Sequence, residues 1–380
     1  MTLFLIGQLQ SFNSCKMASK RLADDVVVQR PNCGVNAFGR ITPFSSVKDY
    51  FMVDRRLQMI SYGVAAGLLV ILVWSIGTGE VAHALGRITI PSMIALLAVS
   101  GALILVSVIK WRAFLRLFSP VPTVWRLSEL YLVGYFVNLF LPSRIGGDLV
   151  RSLSLARPGG RTETIICTFL ERLTGLLAML LIACCGLLIT RQSPLITAVV
   201  LLLAAAGWGA AVALWLGIPA RWFPWPRVSS LVERMERSLD AVRGSIPVVI
   251  QSLSLSLLFH GLTVVNTQVA AWAIGAPAIA FGDLFVVLPL ILLLGSIPLT
   301  PQGLGVQEGM WVFFLGQVGV SPADSLAISL VLRAKSYLLG MVGCIVVVRD
   351  YGWRLGMKRV VGGSLEETPS ESSSAVFTEP

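Results

Sequence analysis

The sequence predicts an all-α fold: a polytopic integral membrane helical bundle of six uninterrupted spans plus two interrupted, re-entrant segments, in an order compatible with an inverted repeat. Three observations lead there. Of 380 residues, 55% are hydrophobic and 13% charged, about half the charged share of a soluble domain. Mean hydropathy is +0.80. Charge-free runs recur at the ~20 residues that a helix needs to cross a ~30 Å hydrocarbon core. A soluble globule, a disordered chain and a small disulfide scaffold are all excluded. The six cysteines are sparse, and Cys184 and Cys185 sit together in an apolar run as packing residues. With no CxxC or Cys/His cluster, no metal and no cofactor is expected.

Taken in order, residues 57–79 and 88–109 are charge-free. Segment 127–143 is shorter and carries Glu129; residues 173–190 are again charge-free, with 162–172 extending that helix. Runs 192–220 and 244–282 follow, then 284–307 and 309–323, and finally 325–348 with Arg333 and Lys335 inside it. Residues 1–50 lack sustained periodicity and predict a disordered extension, or an over-long start before Met52. Residues 51–350 form the membrane domain. Residues 351–380 read as a basic, then disordered, cytoplasmic tail.

Positive charges set the orientation. The first 56 residues hold eight Lys/Arg, 110–126 four, 219–243 five, and four follow Val348; the linkers 77–90 and 191–194 hold one each, and 275–283 none. Both termini, 110–126 and 219–243 are therefore expected in the cytoplasm. The net charge of +10 is explained by topology and anionic lipid headgroups, not by nucleic acid. Within 219–243, Leu231, Met235, Leu239 and Val242 share one helical face, as in an interfacial amphipathic helix.

This orientation makes 127–142 enter and leave from inside, and 284–323 from outside. The two breaks resemble each other. Leu141-Pro142-Ser143-Arg144-Ile145-Gly146-Gly147-Asp148 and Thr300-Pro301-Gln302-Gly303-Leu304-Gly305-Val306-Gln307-Glu308 both read Pro-x-x-[Ile/Leu]-Gly with an acid two or three residues on. Proline removes a donor and glycine permits turns that a helix cannot make. Such backbone survives at membrane depth only inside protein or beside a wet cavity, and broken helices at the midplane are the mark of transporter repeats.

At these residues the chain resembles a known family. Asn138 through Arg151, Glu171-Arg172, and Pro301 through Glu308 are similar to the lysylphosphatidylglycerol synthase transmembrane region, also called the flippase-like domain family, over about residues 57–350. The resemblance implies a prokaryotic plasma (inner) membrane protein that flips a lipid. The bifunctional members carry a soluble transferase domain after the membrane part. This chain has ~30 residues there, so it is similar to the stand-alone branch and aminoacyl transfer is not expected.

The candidate substrate-binding residues are Asn138, Arg144, Gly146, Gly147, Asp148, Arg151, Glu171, Arg172, Gly303, Gly305, Glu308 and Arg333. Ionisable groups in apolar segments need partners or water. If Asp148 opens a half-helix, free N–H groups and the guanidiniums of Arg144 and Arg151 converge on an anion site; otherwise Asp148 caps the helix and pairs with Arg151 while Arg144 snorkels. Glu171 and Arg172 are adjacent and point apart, so each seeks a partner elsewhere, Glu171 in Arg333. Glu308 is either a cap or a proton or cation site. Asn138 either satisfies freed backbone or touches substrate. His260 is expected to be hydrogen-bonded packing.

The function expected is translocation of a phospholipid or of a lipid-linked sugar or polyprenyl-phosphate headgroup. The alternative is a membrane enzyme or scaffold of lipid or lipid-linked glycan synthesis. The chain has no DxD pair, catalytic metal set or P-loop, so no enzyme is expected. The expected partners are an anionic phospholipid or lipid-linked phosphate, the membrane, and a lipid-modifying enzyme.

Overall fold

A computed structural model describes residues 55–118, 121–139, 145–155, 161–217, 239–296 and 300–363. The expectations for residues 1–50, for Arg144 and for most of the amphipathic stretch 219–243 lie outside them. The chain divides into residues 1–40 and 41–380, and every described residue belongs to the second unit.

That unit is helical, with no strand among the described residues. Helix α1 (Arg55–Ile76) stops at Gly77, whose φ of +112° no helix accommodates. The short α2 (Thr78–Gly86) leaves at 91° to it. The sequence reads 77–90 as a plain linker; the structure coils two turns of it, with Glu80 in the first turn and Val81 and Ala84 buried. Helix α3 (Ile90–Leu115) starts at a capping box in which Thr89 and Ser92 satisfy each other's backbone N–H.

Then come α4 (Val124–Asn138), α5 (Ile145–Leu155), α6 (Arg161–Ile189) and α7 (Pro194–Trp215). The second half has α8 (Ile246–Ala273), α9 (Phe281–Leu294), α10 (Val306–Gly316) and α11 (Pro322–Gly363). Five helices, α3, α6, α7, α8 and α11, are long and apolar enough to cross a membrane, and the bent α1–α2 pair makes six. Their outer faces are apolar, with Leu188 88% and Leu195 74% exposed, as hydrocarbon contact requires.

The halves repeat one plan. A long helix (α3, α8) precedes a broken one (α4–α5, α9–α10), and another long helix (α6, α11) follows. The elements match in length: 15 and 14 residues, then 11 and 11. Helices α3 and α8 pack extensively on each other, as do α4 and α11. The first piece of each break lies on the long helix of the other half. Helix α4 runs antiparallel to α11, with Arg126 bonded to Asp350 at one end and Gly340 against Leu139 at the other. Helix α9 lies on α6, with Gly282 against Thr190 and Gly186 against Val286. Apolar burial does not drive helix association in lipid, so close contact at small residues does.

Candidate functional site

Both breaks fold back on themselves. After Asn138 the chain turns, and α5 returns along α4, so that a side chain on Gly147 would overlap the carbonyl of Gly134 and come within 2.6 Å of Asn138 Oδ1. Asn138 Oδ1 accepts the Gly147 N–H at 2.8 Å. Of its two expected roles, the one seen is satisfaction of a freed N–H at the start of α5. In the second break, Gly303 and Gly305 take φ of +68° and +80° and turn the chain, and Gln307 packs against Gly295.

Each short helix then presents a carboxylate to the long helix after it. Asp148 in α5 receives both Nε (2.8 Å) and Nη2 (2.6 Å) of Arg172 in α6. Glu308 in α10 receives Nε of Arg333 in α11. Glu308 also accepts the Gly305 N–H at 2.6 Å, so it caps α10 and pairs at once. Arg333 reaches Gln307 Oε1 at 3.5 Å.

Arg151 is the most deeply buried of the described arginines. Its side chain is 1% exposed and bonds Glu171 Oε2 at 2.7 Å, with Asp148 Oδ1 at 3.1 Å from its Nε. Its guanidinium lies 4.0 Å from the Tyr131 ring centre and 4.7 Å from that of Trp111, which spreads cationic charge over aromatic faces. Tyr131 Oη donates to the second oxygen of Glu171. The Nη1 of Arg151 has no hydrogen-bond partner among the described residues. Arg172 differs: its side chain is 59% exposed. Asp148, Arg151, Glu171 and Arg172 thus form one neutral four-charge cluster, and Glu308 with Arg333 forms a second.

One expectation is corrected. Glu171 does not meet Arg333; it faces α5 and takes Arg151, because α6 packs on α5 while Arg333 sits beside α10. The adjacent Glu171 and Arg172 do point to different partners, as helical geometry requires. Lys110 is also misplaced by charge counting. It belongs to α3, not to a cytoplasmic linker, and is 5% exposed. Gly146, Gly147, Gly303 and Gly305 are buried at the turns. Arg144 lies outside the described residues.

Sequence reasoning missed Tyr131 and Trp111. The available signal was an aromatic ring and Glu129 in a half-helix too short to span. His260 is packing with a hydrogen bond, its Nε2 2.9 Å from the Gly175 carbonyl. At the far end of α4, Arg126 and Arg349 alternate with Glu129 and Asp350 in a clamp between α4 and α11. Among the described residues no three His, Cys, Asp or Glu side chains converge as a metal set.

The chain is similar to known proteins over most of its length. The family model described as the lysylphosphatidylglycerol synthase TM region matches residues 58–344, which spans both breaks and both clusters. Two UPF0104 membrane proteins of Methanothermobacter thermautotrophicus are similar to the chain. One is 24% identical over 343 residues, covering 79% of this chain and 96% of the relative. The other is 24% identical over 310 residues, covering 73% and 90%. With the match covering most of its length, the chain belongs to the lysylphosphatidylglycerol synthase TM region family of membrane proteins.

Proposed function

We propose that this protein moves the headgroup of a phospholipid or lipid-linked phosphate across the bilayer, leaving the acyl or prenyl tails in lipid. The observation that carries the reading is the repeated lock: a Pro/Gly-broken half-helix in each half, tied by its acid to an arginine of the next span. A headgroup crosses hydrocarbon slowly because it loses water. Broken backbone and half-helix N-termini are the means by which a protein places polar groups at that depth.

The half-exposed Arg172 receives the phosphate, and the unpartnered Nη1 of Arg151 adds a donor behind it. An arriving phosphate competes with Asp148 for Arg172, so binding loosens α5 from α6. The same exchange of Glu308 for substrate at Arg333 loosens α10 from α11. The two halves, inverted relative to each other by the Lys/Arg bias, open alternately to the two sides. On this reading the chain forms and breaks no covalent bond. Both termini lie in the cytoplasm of a prokaryotic cell, the membrane is the plasma membrane, and a lipid-modifying enzyme supplies or consumes the cargo.

The test is reconstitution of the full chain into phosphatidylcholine vesicles with a minority of phosphatidylglycerol. Labelled phosphatidylglycerol is followed by dithionite quenching. Faster transbilayer movement than in protein-free vesicles, reduced by Arg172→Ala, is the expected result. Rates equal to protein-free vesicles for phosphatidylglycerol and for a polyprenyl phosphate overturn the reading.

A further inference from the structure

Every arginine of the two clusters has a carboxylate, but Lys110 has none within ion-pair distance among the described residues. Its Nζ donates to Ser256 Oγ at 3.2 Å and lies 5.8 Å from the Phe259 ring centre. Space for it is reserved: a side chain on Gly175 would put its Cβ 3.3 Å from Nζ. The charged groups that bear on it are Glu171 and Arg172 of α6 and Arg151 of α5, with His260 of α8 beyond.

Lys110 sits in a polar seam where α3, α6 and α8 meet. Helix α8 offers Ser252, Ser256 and His260 at four-residue spacing, a single face. Helix α6 offers the buried Thr174 toward α8, one turn from Glu171, which faces α5, as does Thr168 through Ser152. The two faces are tied by Thr174 Oγ1 to Ser252 Oγ at 2.9 Å and by His260 to the Gly175 carbonyl. Beyond His260 lies a small recess lined by Thr263 and by the apolar Val264, Leu284, Leu288 and Pro289. Along α6 and α8 these groups recur about one helical turn apart, and the links seen between the helices are Lys110 to Ser256, Thr174 to Ser252 and His260 to the Gly175 carbonyl.

We infer that this seam is a proton path with Lys110 as its exchange site, coupling headgroup movement to a proton gradient. The coupling rests on the transport reading above. An arginine holds its proton throughout; a lysine with no carboxylate to pin its proton can release it. The ammonium donates to Ser256. When one proton leaves, the neutral amine accepts from the same hydroxyl, and reprotonation restores the first state. The proton leaves toward Thr174 and Glu171 on one side or His260 and the recess on the other. Because Glu171 holds Arg151, a proton reaching its carboxylate weakens the pair that ties α5 to α6 beside the Asp148–Arg172 lock.

The experiment uses the full chain in the vesicles described above, with trapped pyranine and the membrane potential clamped by potassium and valinomycin. After a pH step, wild-type vesicles are expected to equilibrate several-fold faster than protein-free ones, and labelled phosphatidylglycerol to move at a gradient-dependent rate. Lys110→Met and Lys110→Arg both abolish the two responses, and Ser256→Ala slows them; monodisperse elution shows that each variant is folded. Lys110 variants that respond like wild type overturn the inference. Headgroup movement that ignores the gradient also overturns it and leaves the transport reading standing. If no lipid moves, the transport reading falls, and Lys110-dependent proton exchange alone supports the seam.

Discussion

Arg333 reaches back 25 residues to the carboxylate of Glu308, and that carboxylate also caps its own helix at Gly305. Arg172 reaches back 24 residues to Asp148 in the same way. The turn, the short helix and the next span are thereby one unit in each half. Glu308 is fully buried and Arg333 90% so, so neither charge tolerates losing the other.

Removing one partner of this pair is therefore costly. Glu308→Gln or Arg333→Met alone is expected to destabilise the protein by about 3–5 kcal/mol, whereas the double variant recovers much of that loss. Thermal unfolding in detergent, read by size exclusion, checks it. A double variant less stable than both singles contradicts the pairing.

The close helix approaches depend on absent side chains. Gly147→Ala drives a methyl into the Gly134 carbonyl, and Gly343→Ala into that of Leu132. Each is expected to cost about 1–3 kcal/mol or more and to reduce folded yield. Gly309→Ala is the control: nothing lies within 4 Å of its Cβ position, and alanine favours α10 by up to about 1 kcal/mol. Equal yields for all three would show that α4 does not sit this tightly on α5 and α11.

Arg151 and Arg172 share Asp148 but differ in burial, and their variants should separate. Arg151→Ala strands Glu171 in the interior and is expected to cost about 3–5 kcal/mol. Arg172→Ala leaves a side chain's worth of exposed space, costs about 1 kcal/mol or less, and slows translocation about tenfold, or ~1.4 kcal/mol on the barrier. Melting and vesicle assays on the same preparations decide. Slow transport with an unchanged melt for Arg151→Ala would reverse the assignment.

The orientation set by basic residues has a direct readout. In a chain with its six cysteines replaced, Arg116→Cys is expected to react with an impermeant maleimide only after cells are opened. Arg191→Cys should react in intact cells. The opposite pattern inverts the topology.

Much of the membrane plan was legible because it depends on run length and local chemistry. Charge-free stretches locate α3, α6, α7 and α8, and an apolar run broken by Arg333 and Lys335 locates α11. Pro142 with Gly146-Gly147, and Pro301 with Gly303 and Gly305, locate both breaks, since those residues act on their own backbone. The pairing of Asp148 with Arg151, one of the two alternatives open in the sequence, is seen, since the two are one helical turn apart. What stayed hidden lies across helices. Glu171 was matched to the wrong arginine, and nothing local tied Tyr131 of α4 or Trp111 of α3 to Arg151 of α5 in particular.

The amino-acid sequence by itself determined that this chain lives in a membrane, where its long apolar runs lie, and that two of its segments are broken alike. Hydrophobic run length, capping residues, proline and glycine act within a few residues, so order along the chain suffices to read them. Only the tertiary structure decided which carboxylate neutralises which arginine, and that Lys110 is left without one. Those choices follow from helices meeting at glycines 147, 175 and 343. A contact between residues 20 to 150 positions apart is set by that packing rather than by any local pattern.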